Sequence, residues 1–419
     1  MIIQLQASLS DAALPANQAS QRQISVSLSA QANQTGPNAP LNVCLILDHS
    51  GSMAGQPLET VKKAAQSIVD RMRPQDRLAI VIFDHSAKVL VPNQTVTNPA
   101  QIKAKIASVT AAGGTAIDLG MKLGLEQLAE GKKDAISQAF LLTDGENEHG
   151  NNEKCLTYAQ LATTYNITFN ALGFGEHWNQ YTLEKIADVG AGLLSYIEYP
   201  EQAISVFQEL FSRIQSIGLT NAHLEINLGS GVKLADLKAA AQVAPETIEL
   251  DQQINHLSPN VASIRIGDIL IASPRTLLIN VYLDPLPSGT YPMAELQVKY
   301  DDPAQGLTGL LSDKIPLMIK AEATYQPQPD LEVQKSILAL GKYRQTQMAE
   351  KKLAAGDKAG AATLLQTAAK TALQMGDQNG ATVLQKTATQ LQAGEELSQA
   401  ERKKTLLASK TVLGAPPTP

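Results

Sequence analysis

Between residues 41 and 217, short apolar runs alternate with stretches in which apolar residues recur at helical spacing. This alternation is typical of a parallel sheet covered by helices, because strands buried on both faces are apolar throughout and their connections are helical. Strands are predicted at 42–47, 77–83, 87–91, 138–143, 167–172 and 193–198. Only a few residues separate the second and third strands, which predicts a hairpin. We therefore expect an α/β, doubly wound, mostly parallel six-stranded sheet with one antiparallel edge strand.

The segments on both sides of this block show period-two alternation without long helices, as in "QISVSLSA" before it and "TLLINVYL" after it. Such alternation predicts strands with one buried face, and the intervening turn signals predict hairpins. Two early strands are too few to be stable alone. We therefore predict that residues 1–40 and 218–326 build one antiparallel β-sandwich, into which the domain of 41–217 is inserted. A disordered N-terminal arm is the alternative.

The pattern becomes helical again in residues 327–410. "GDKAGAATLLQTAAKTALQM" is echoed by "GDQNGATVLQKTATQL", and each opens with a Gly that can end one helix and an Asp that can cap the next. We predict a C-terminal α-helical hairpin segment, which either docks a partner or covers an edge of the sandwich. Residues 411–419, ending "GAPPTP", are expected to form a disordered tail.

Composition restricts the classes of partner. With 34 basic and 40 acidic residues, and 4% aromatic residues, neither a phosphate-tracking surface nor base-stacking platforms are indicated, so we expect no nucleic acid partner. No apolar run approaches the ~20 residues of a membrane span, and the first residues lack the pattern of a signal peptide. We expect no membrane span and a cytoplasmic location. Cys44 and Cys155 are expected to be reduced and partly buried thiols.

The segment "DHSGSM" places Asp48, Ser50 and Ser52 directly after the first predicted strand of the sheet. Ligands of open α/β sheets bind beyond the carboxyl ends of the strands. Alternate residues of an extended segment face the same side, so the carboxylate and the two hydroxyls can converge. These are hard oxygen ligands of the kind that Mg²⁺, Mn²⁺ or Ca²⁺ accepts. The alternative is that the serines cap the following helix and Asp48 closes a turn.

Two further loops favour the metal. "AAGGTAIDLGM" places Thr115 at the start of a predicted helix, and "AFLLTDGENE" ends another strand with Asp144. Thr115 as a helix N-cap and Asp144 as the first residue of a turn are the alternatives. The ordered occurrence of these groups at strand ends favours one metal site formed by Asp48, Ser50, Ser52, Thr115 and Asp144.

Together, "DHSGSM", "GGTAI" and "LLTDGE" resemble the metal-ion-dependent adhesion site of the von Willebrand factor type A domain in its bacterial form. The resemblance covers about 41–217. It implies that Ser50, Ser52 and Thr115 coordinate Mg²⁺ directly, while Asp48 and Asp144 act mainly through water. The flanking sandwich and helices are similar, more loosely, to bacterial proteins with strands related to inter-alpha-trypsin-inhibitor heavy chains.

The predicted ligand set suggests a function. A cation surrounded mostly by hydroxyls and waters keeps excess positive charge and an open position that an outside carboxylate can fill. We therefore expect a metal-dependent protein–protein interaction or scaffolding protein, not an enzyme, whose partner contributes an Asp or Glu. The alternative is a metal-assisted hydrolase that uses the same site with His49 or His149 as the general base.

Overall fold

The computed structural model describes residues 1–31, 39–132, 135–271 and 273–410. The tail predicted at 411–419 lies outside the described residues. Contacts divide the chain into two compact units. The first unit comprises residues 1, 39–221 and 301–308, and the second comprises residues 2–31, 222–300 and 309–410.

The elements of the described chain are named here in chain order. The strands are β1 (Ile2–Leu9), β2 (Ala13–Pro15), β3 (Ser20–Gln31), β4 (Leu41–Asp48), β5 (Arg77–Phe83), β6 (Ala87–Thr95), β7 (Ile136–Thr143), β8 (Ile167–Phe174), β9 (Ala191–Ile197), β10 (Ile217–Leu228), β11 (Val232–Leu234), β12 (Ala240–Ala244), β13 (Ile248–Glu249), β14 (Ile254–Ser258), β15 (Val261–Leu270), β16 (Arg275–Leu283), β17 (Gly289–Asp302), β18 (Leu307–Leu311) and β19 (Ile315–Glu322). The helices are α1 (Gln56–Arg71), α2 (Pro99–Ala107), α3 (Ile117–Glu130), α4 (Asn152–Thr164), α5 (Gln180–Val189), α6 (Ala203–Gln215), α7 (Leu331–Ala354), α8 (Lys358–Gln374), α9 (Gln378–Gln392) and α10 (Gln399–Lys410).

The first unit contains a sheet with the strand order β6-β5-β4-β7-β8-β9. The edge strand β6 pairs antiparallel with β5, whereas the other neighbours pair in parallel. Every residue of β4, β7 and β8 is buried, as expected for strands with helices on both faces of the sheet. The predicted α/β fold is confirmed.

Helix boundaries in this unit follow from local chemistry. Helix α1 begins after Gly55, whose φ of 84° favours glycine, and has Pro57 in its first turn. Three other helices begin with an asparagine that accepts a hydrogen bond from the amide three residues later. These caps are Asn98 for α2, Asn151 for α4 and Asn179 for α5.

The second unit contains two sheets. One has the order β1-β3-β16-β12-β13, with β11 also paired to β16, and the other has the order β14-β15-β10-β17-β19-β2, with β18 also paired to β17. Strand β3 pairs with β16 from Leu28 opposite Arg275 to Ser20 opposite Leu283. Strands from the beginning of the chain therefore complete sheets built mainly from residues after 217.

The expectation of an antiparallel sandwich is wrong for one pair of strands, because β2 pairs in parallel with β19. The chain leaves β1 through a turn in which Asp11 accepts a hydrogen bond from the Ala13 amide at 2.9 Å. This turn carries it from one sheet to the other. The three-residue β2 is too short to show an alternating pattern, so the sequence does not reveal it.

The C-terminal segment is helical, as predicted. Gly356 and Gly376 adopt a φ of 81° between successive helices, and Asp357 and Asp377 cap α8 and α9. The first helix, α7, packs on a sheet, where Val333, Ala339 and Leu340 join a cluster with three sheet residues (Ala241, Val243 and Leu278). None of the helices within the described residues is long and apolar enough to cross a membrane.

A buried ion pair joins three of these helices. Lys342 on α7 is completely buried, and its ammonium group donates to Asp377 at 2.7 Å and to the carbonyl oxygen of Ala408 on α10 at 3.0 Å. Asp377 also accepts from the amide of Gly380 at the start of α9. One lysine thus connects α7, the cap of α9 and the end of α10.

We predict that Lys342→Ala lowers the free energy of unfolding by about 3–5 kcal/mol, because the substitution leaves the buried Asp377 without its cation. Urea unfolding of the whole chain measures this loss. The control is Lys335→Ala, which removes an exposed lysine of the same helix from its pair with Glu332 and should cost less than about 1 kcal/mol. Equal losses in the two variants would contradict the prediction.

Candidate metal site

The site is built on the carboxyl end of β4. Asp48 is the last residue of this strand and is completely buried. One of its carboxylate oxygens accepts from the amide of Ser50 at 2.8 Å, and the other accepts from the hydroxyl of Thr143 at 2.5 Å. The carboxylate is therefore held in place by the loop that follows β4 and by the neighbouring strand β7.

Ser50, Ser52 and Asp144 form a hydrogen-bonded chain. The two serine hydroxyl oxygens lie 3.0 Å apart, and Ser52 donates to Asp144 at 2.7 Å. Ser50 precedes a single 3₁₀ turn and its side chain makes no cap hydrogen bond, while α1 is preceded by Gly55. The serines therefore do not act as helix caps, although Asp48 does close a turn with the Ser50 amide.

Thr115 reaches the same place from the loop of residues 110–116. The loop is anchored to the ends of β4 and β5 by main-chain hydrogen bonds. The carbonyls of Gly113 and His49 accept bonds that link it to the residues directly after Asp48, and the Ala116 amide donates to the carbonyl of Asp84. The hydroxyl oxygens of Thr115 and Ser52 lie 3.4 Å and 3.9 Å from the point that a β-carbon on Gly145 would occupy. The structure thus gathers all five predicted side chains at one edge of the sheet.

The predicted start of the third helix of this unit is corrected by two residues. Helix α3 begins at Ile117 and its cap position is Ala116, so Thr115 is not the N-cap. The side chain that reaches the first turn is Asn147, whose amide oxygen accepts from the Ile117 amide at 2.7 Å. The cap comes from another loop, which the local sequence around Thr115 does not indicate.

The pKa values of both carboxylates of the site are raised. The pKa of Asp48 is raised from 3.8 to about 6, because burial and the charge of Asp144 outweigh the hydrogen bonds from Ser50 and Thr143. Burial also raises the pKa of Asp144, although the hydrogen bond from Ser52 and the charge of His177 act in the opposite direction. A bound cation would favour the charged form of both groups.

The donor set fits a divalent cation that prefers oxygen. Two carboxylates and three hydroxyls are hard ligands, which suit Mg²⁺, Mn²⁺ and Ca²⁺. In residues 1–31, 39–132, 135–271 and 273–410, no group of three or more His, Cys, Asp or Glu side chains could hold a metal ion. A metal at this edge of the sheet would therefore depend on the hydroxyls of Ser50, Ser52 and Thr115.

Two of the histidines near the site, His49 and His149, contact the loop of residues 110–116. Nδ1 of the buried His49 lies 3.0 Å from the carbonyl oxygen of Thr110 and donates to it, because a carbonyl oxygen can only accept. The main-chain amide of His149 donates to the carbonyl of Thr115 at 2.9 Å, and its ring lies against Gly114. Both histidines help to hold the loop that carries Thr115.

Two residues of the site were missed by sequence reasoning. Thr143 resembles an ordinary β-branched strand residue, yet its hydroxyl holds the Asp48 carboxylate. Asn147 lies in the polar run "DGENEHGNN", where any of several residues could serve as a cap or a turn former. Its position three residues after Asp144 is the one signal that connects it to the site.

Comparisons with known proteins agree with the fold. The family model of the von Willebrand factor type A domain matches residues 42–212, and the model of the Sll0103-like C-terminal alpha-helical domain matches residues 331–415. The protein sll0103 of Synechocystis sp. is 52% identical over 420 residues, which cover 100% of this chain and 99% of that protein.

Two solved structures are similar over nearly the whole chain. A von Willebrand factor type A protein from Catenulispora acidiphila has a TM-score of 0.85 at 20% identity, covering 98% of this chain and 97% of that one. The ArnB paralog VWA2 from Sulfolobus acidocaldarius has a TM-score of 0.60 at 15% identity, covering 98% of both chains. At these identities the similarity shows a shared fold.

We predict that Asp48→Asn stabilises the metal-free protein at pH 7.5 and not at pH 4. The folded state binds the Asp48 proton more tightly than the unfolded chain does. The contribution of this group to the free energy of unfolding is therefore fully present below pH 3.8 and is lost as the pH rises through about 6. The difference between these pKa values corresponds to about 3 kcal/mol. Urea unfolding in EDTA at several pH values measures it.

The control is Asp84→Asn at the end of β5. Burial raises the pKa of Asp84, but the hydrogen bonds from Ser86 and the charges of His49 and His85 together outweigh it, so the net pKa is lowered. Its stability contribution is therefore present at neutral pH and lost as pH falls, so this variant should be most destabilised at pH 7.5. Parallel pH profiles for the two variants would refute the assignment of a raised pKa to Asp48.

Proposed function

Because the chain belongs to the family of sll0103 from Synechocystis sp. and contains a von Willebrand factor type A domain, we propose that it is a metal-dependent protein-interaction protein. The observation that carries the proposal is the convergence of three hydroxyls and two carboxylates at the carboxyl edge of the sheet. In this proposal Ser50, Ser52 and Thr115 hold the cation, with Asp48 and Asp144 behind them.

Each residue has a defined task. The hydrogen-bonded chain Ser50–Ser52–Asp144 supplies oxygen ligands for the metal, with neighbouring side-chain oxygens 2.7–3.0 Å apart. Asp48 supplies negative charge at the buried end of β4 and is kept in position by the Ser50 amide and the Thr143 hydroxyl. Mg²⁺ or Mn²⁺, when bound, offers an open coordination position that takes a carboxylate from a partner protein.

The exposure of the five residues suits recognition of another protein. Asp48, Ser50 and Thr115 are buried, whereas Ser52 is exposed and Asp144 is partly exposed. A partner side chain can therefore approach from the Ser52 and Asp144 side while the remaining donors stay fixed. We propose that the partner presents an Asp or Glu here.

We further propose that the protein is not an enzyme. The contacts of both candidate bases support a structural role for them, because Nδ1 of His49 donates to the carbonyl of Thr110 and the His149 ring lies against Gly114. A cytoplasmic location is part of the proposal. The two cysteines, Cys44 and Cys155, are free and buried, which suits a reducing compartment.

We predict that the purified protein binds Mn²⁺ and Mg²⁺ with one site, and that Asp48→Ala or Thr115→Ala abolishes this binding without unfolding the protein. Isothermal titration calorimetry measures the binding, and circular dichroism checks the fold. Thr60→Ala is the matched control, because it removes an exposed hydroxyl of α1 that donates to the Gln56 carbonyl. Wild-type protein that binds neither metal would disprove the proposed function.

For the partner, we predict that EDTA and Asp48→Ala weaken binding by the same factor. Loss of a desolvated charge contact at an interface typically costs ~2–5 kcal/mol, or roughly 30-fold to several thousand-fold in affinity. Affinity purification with the wild type, Asp48→Ala and Thr60→Ala, each with Mg²⁺ or EDTA, identifies partners whose recovery depends on the site. Replacing one acidic residue of that partner should then give an equal loss, with no further loss when both proteins are changed. Partner binding that survives EDTA unchanged would exclude the metal as the contact.

A further inference from the structure

Helix α3 is capped differently from its neighbours. Asn98, Asn151 and Asn179 each cap the helix that follows them, through the amide three residues later. The cap position of α3 is Ala116, which has no side-chain oxygen. The amide of Ile117 in its first turn donates instead to Asn147, which lies 30 residues later in the loop after Asp144.

The Asn147 side chain is held at both ends of its amide group. Its oxygen accepts from Ile117 at 2.7 Å, and its nitrogen donates to Asn152 at 3.1 Å and lies 3.6 Å from the sulfur of Cys155. Because the oxygen must accept from an N–H group, this orientation of the amide follows from the contacts. Asn147 therefore connects the first turn of α3 to the first turn of α4.

This connection joins two loops that carry predicted metal ligands. Asp144 is three residues before Asn147, and Thr115 is two residues before Ile117. A second bond joins the same two loops in the opposite direction, because the amide of His149 donates to the carbonyl of Thr115 at 2.9 Å. Two hydrogen bonds thus join the loop after Asp144 to the two ends of a three-residue segment, residues 115–117.

The remote cap also affects the Thr115 hydroxyl. A threonine beside a helix start commonly turns its hydroxyl to the exposed amides of the first turn. Here Asn147 occupies the Ile117 amide, and the hydroxyl oxygen of Thr115 faces Gly145, 3.4 Å from where a β-carbon of that residue would lie. The hydroxyl is therefore directed at the site rather than at the helix.

We propose that Asn147 is a positioning residue of the metal site, which fixes the Thr115 hydroxyl relative to Asp144 by capping α3 from the Asp144 loop. The inference rests on the proposed function. Without the Asn147 oxygen, the first turn of α3 loses its cap, and residues 115–117 lose one of their two hydrogen bonds to the loop after Asp144. A helix cap is typically worth enough to change an equilibrium about 5-fold, and we expect a loss of metal affinity of about 5- to 10-fold.

The test compares Asn147→Ala with Asn98→Ala, which removes the cap of α2 and serves as the matched control. Both variants should lose a similar few degrees of thermal stability in EDTA. Only Asn147→Ala should bind Mn²⁺ about 5- to 10-fold more weakly in calorimetry. Hydrogen exchange of the metal-free full chain should show faster exchange of the Ile117 amide in Asn147→Ala alone. Asn147→Asp keeps an acceptor oxygen, so it should restore both Ile117 protection and Mn²⁺ affinity.

The outcomes separate the two hypotheses. If Asn147→Ala exposes the Ile117 amide but binds Mn²⁺ as tightly as the wild type, Asn147 is only a helix cap and the inference is wrong. The same conclusion follows if Asn98→Ala weakens Mn²⁺ binding equally, because the effect is then one of general stability. If the wild type does not bind Mn²⁺, the proposed function itself fails, and the inference fails with it.

Discussion

The two-sided burial of β4 is the constraint from which the first unit is built. All eight residues of this strand are buried, so its main-chain groups must be paired by neighbouring strands and its side chains covered by helices. Strands β5 and β7 supply the pairing in parallel on either side. Polar side chains are then confined to the ends of the strand, with Asn42 bonded to the carbonyl of Leu128 at one end and Asp48 at the other. The position of the candidate site is thus a consequence of how the core is made.

Two ionic arrangements within the described residues are of opposite kinds. Lys342 and Asp377 carry opposite charges and satisfy one another between helices, so the pair is complete within the chain. Asp48 and Asp144 carry like charges, and burial raises the pKa of both. A pair of the first kind serves the packing of helices. A pair of the second kind is destabilising unless an outside cation joins it, which is a recognised mark of a functional site.

Much of this architecture could be predicted from the sequence because it depends on local pattern. The α/β fold follows from the alternation of apolar runs and helices, and the caps at Asp357 and Asp377 follow from the Gly-Asp repeats. The predicted ligands converge because strands of one sheet end at one edge.

What could not be predicted depends on contacts between distant residues. The β2–β19 pairing is too short to leave a pattern, Thr143 looks like a strand residue, and Asn147 acts on a helix that begins 30 residues earlier.

The pairing of β3 with β16 has a consequence for how the chain is synthesised. The two strands are roughly 250 residues apart, and the whole sheet of β4–β9 lies between them. During translation, β3 leaves the ribosome long before β16 exists, while the α/β unit can complete its own sheet from residues already made. During that interval β3 has β1 as a partner on one edge, while its other edge and the packing around its apolar residues Ile24, Val26 and Leu28 remain incomplete. Chaperone binding to the nascent chain would protect this segment, whose Ile24, Val26 and Leu28 are completely buried in the finished protein.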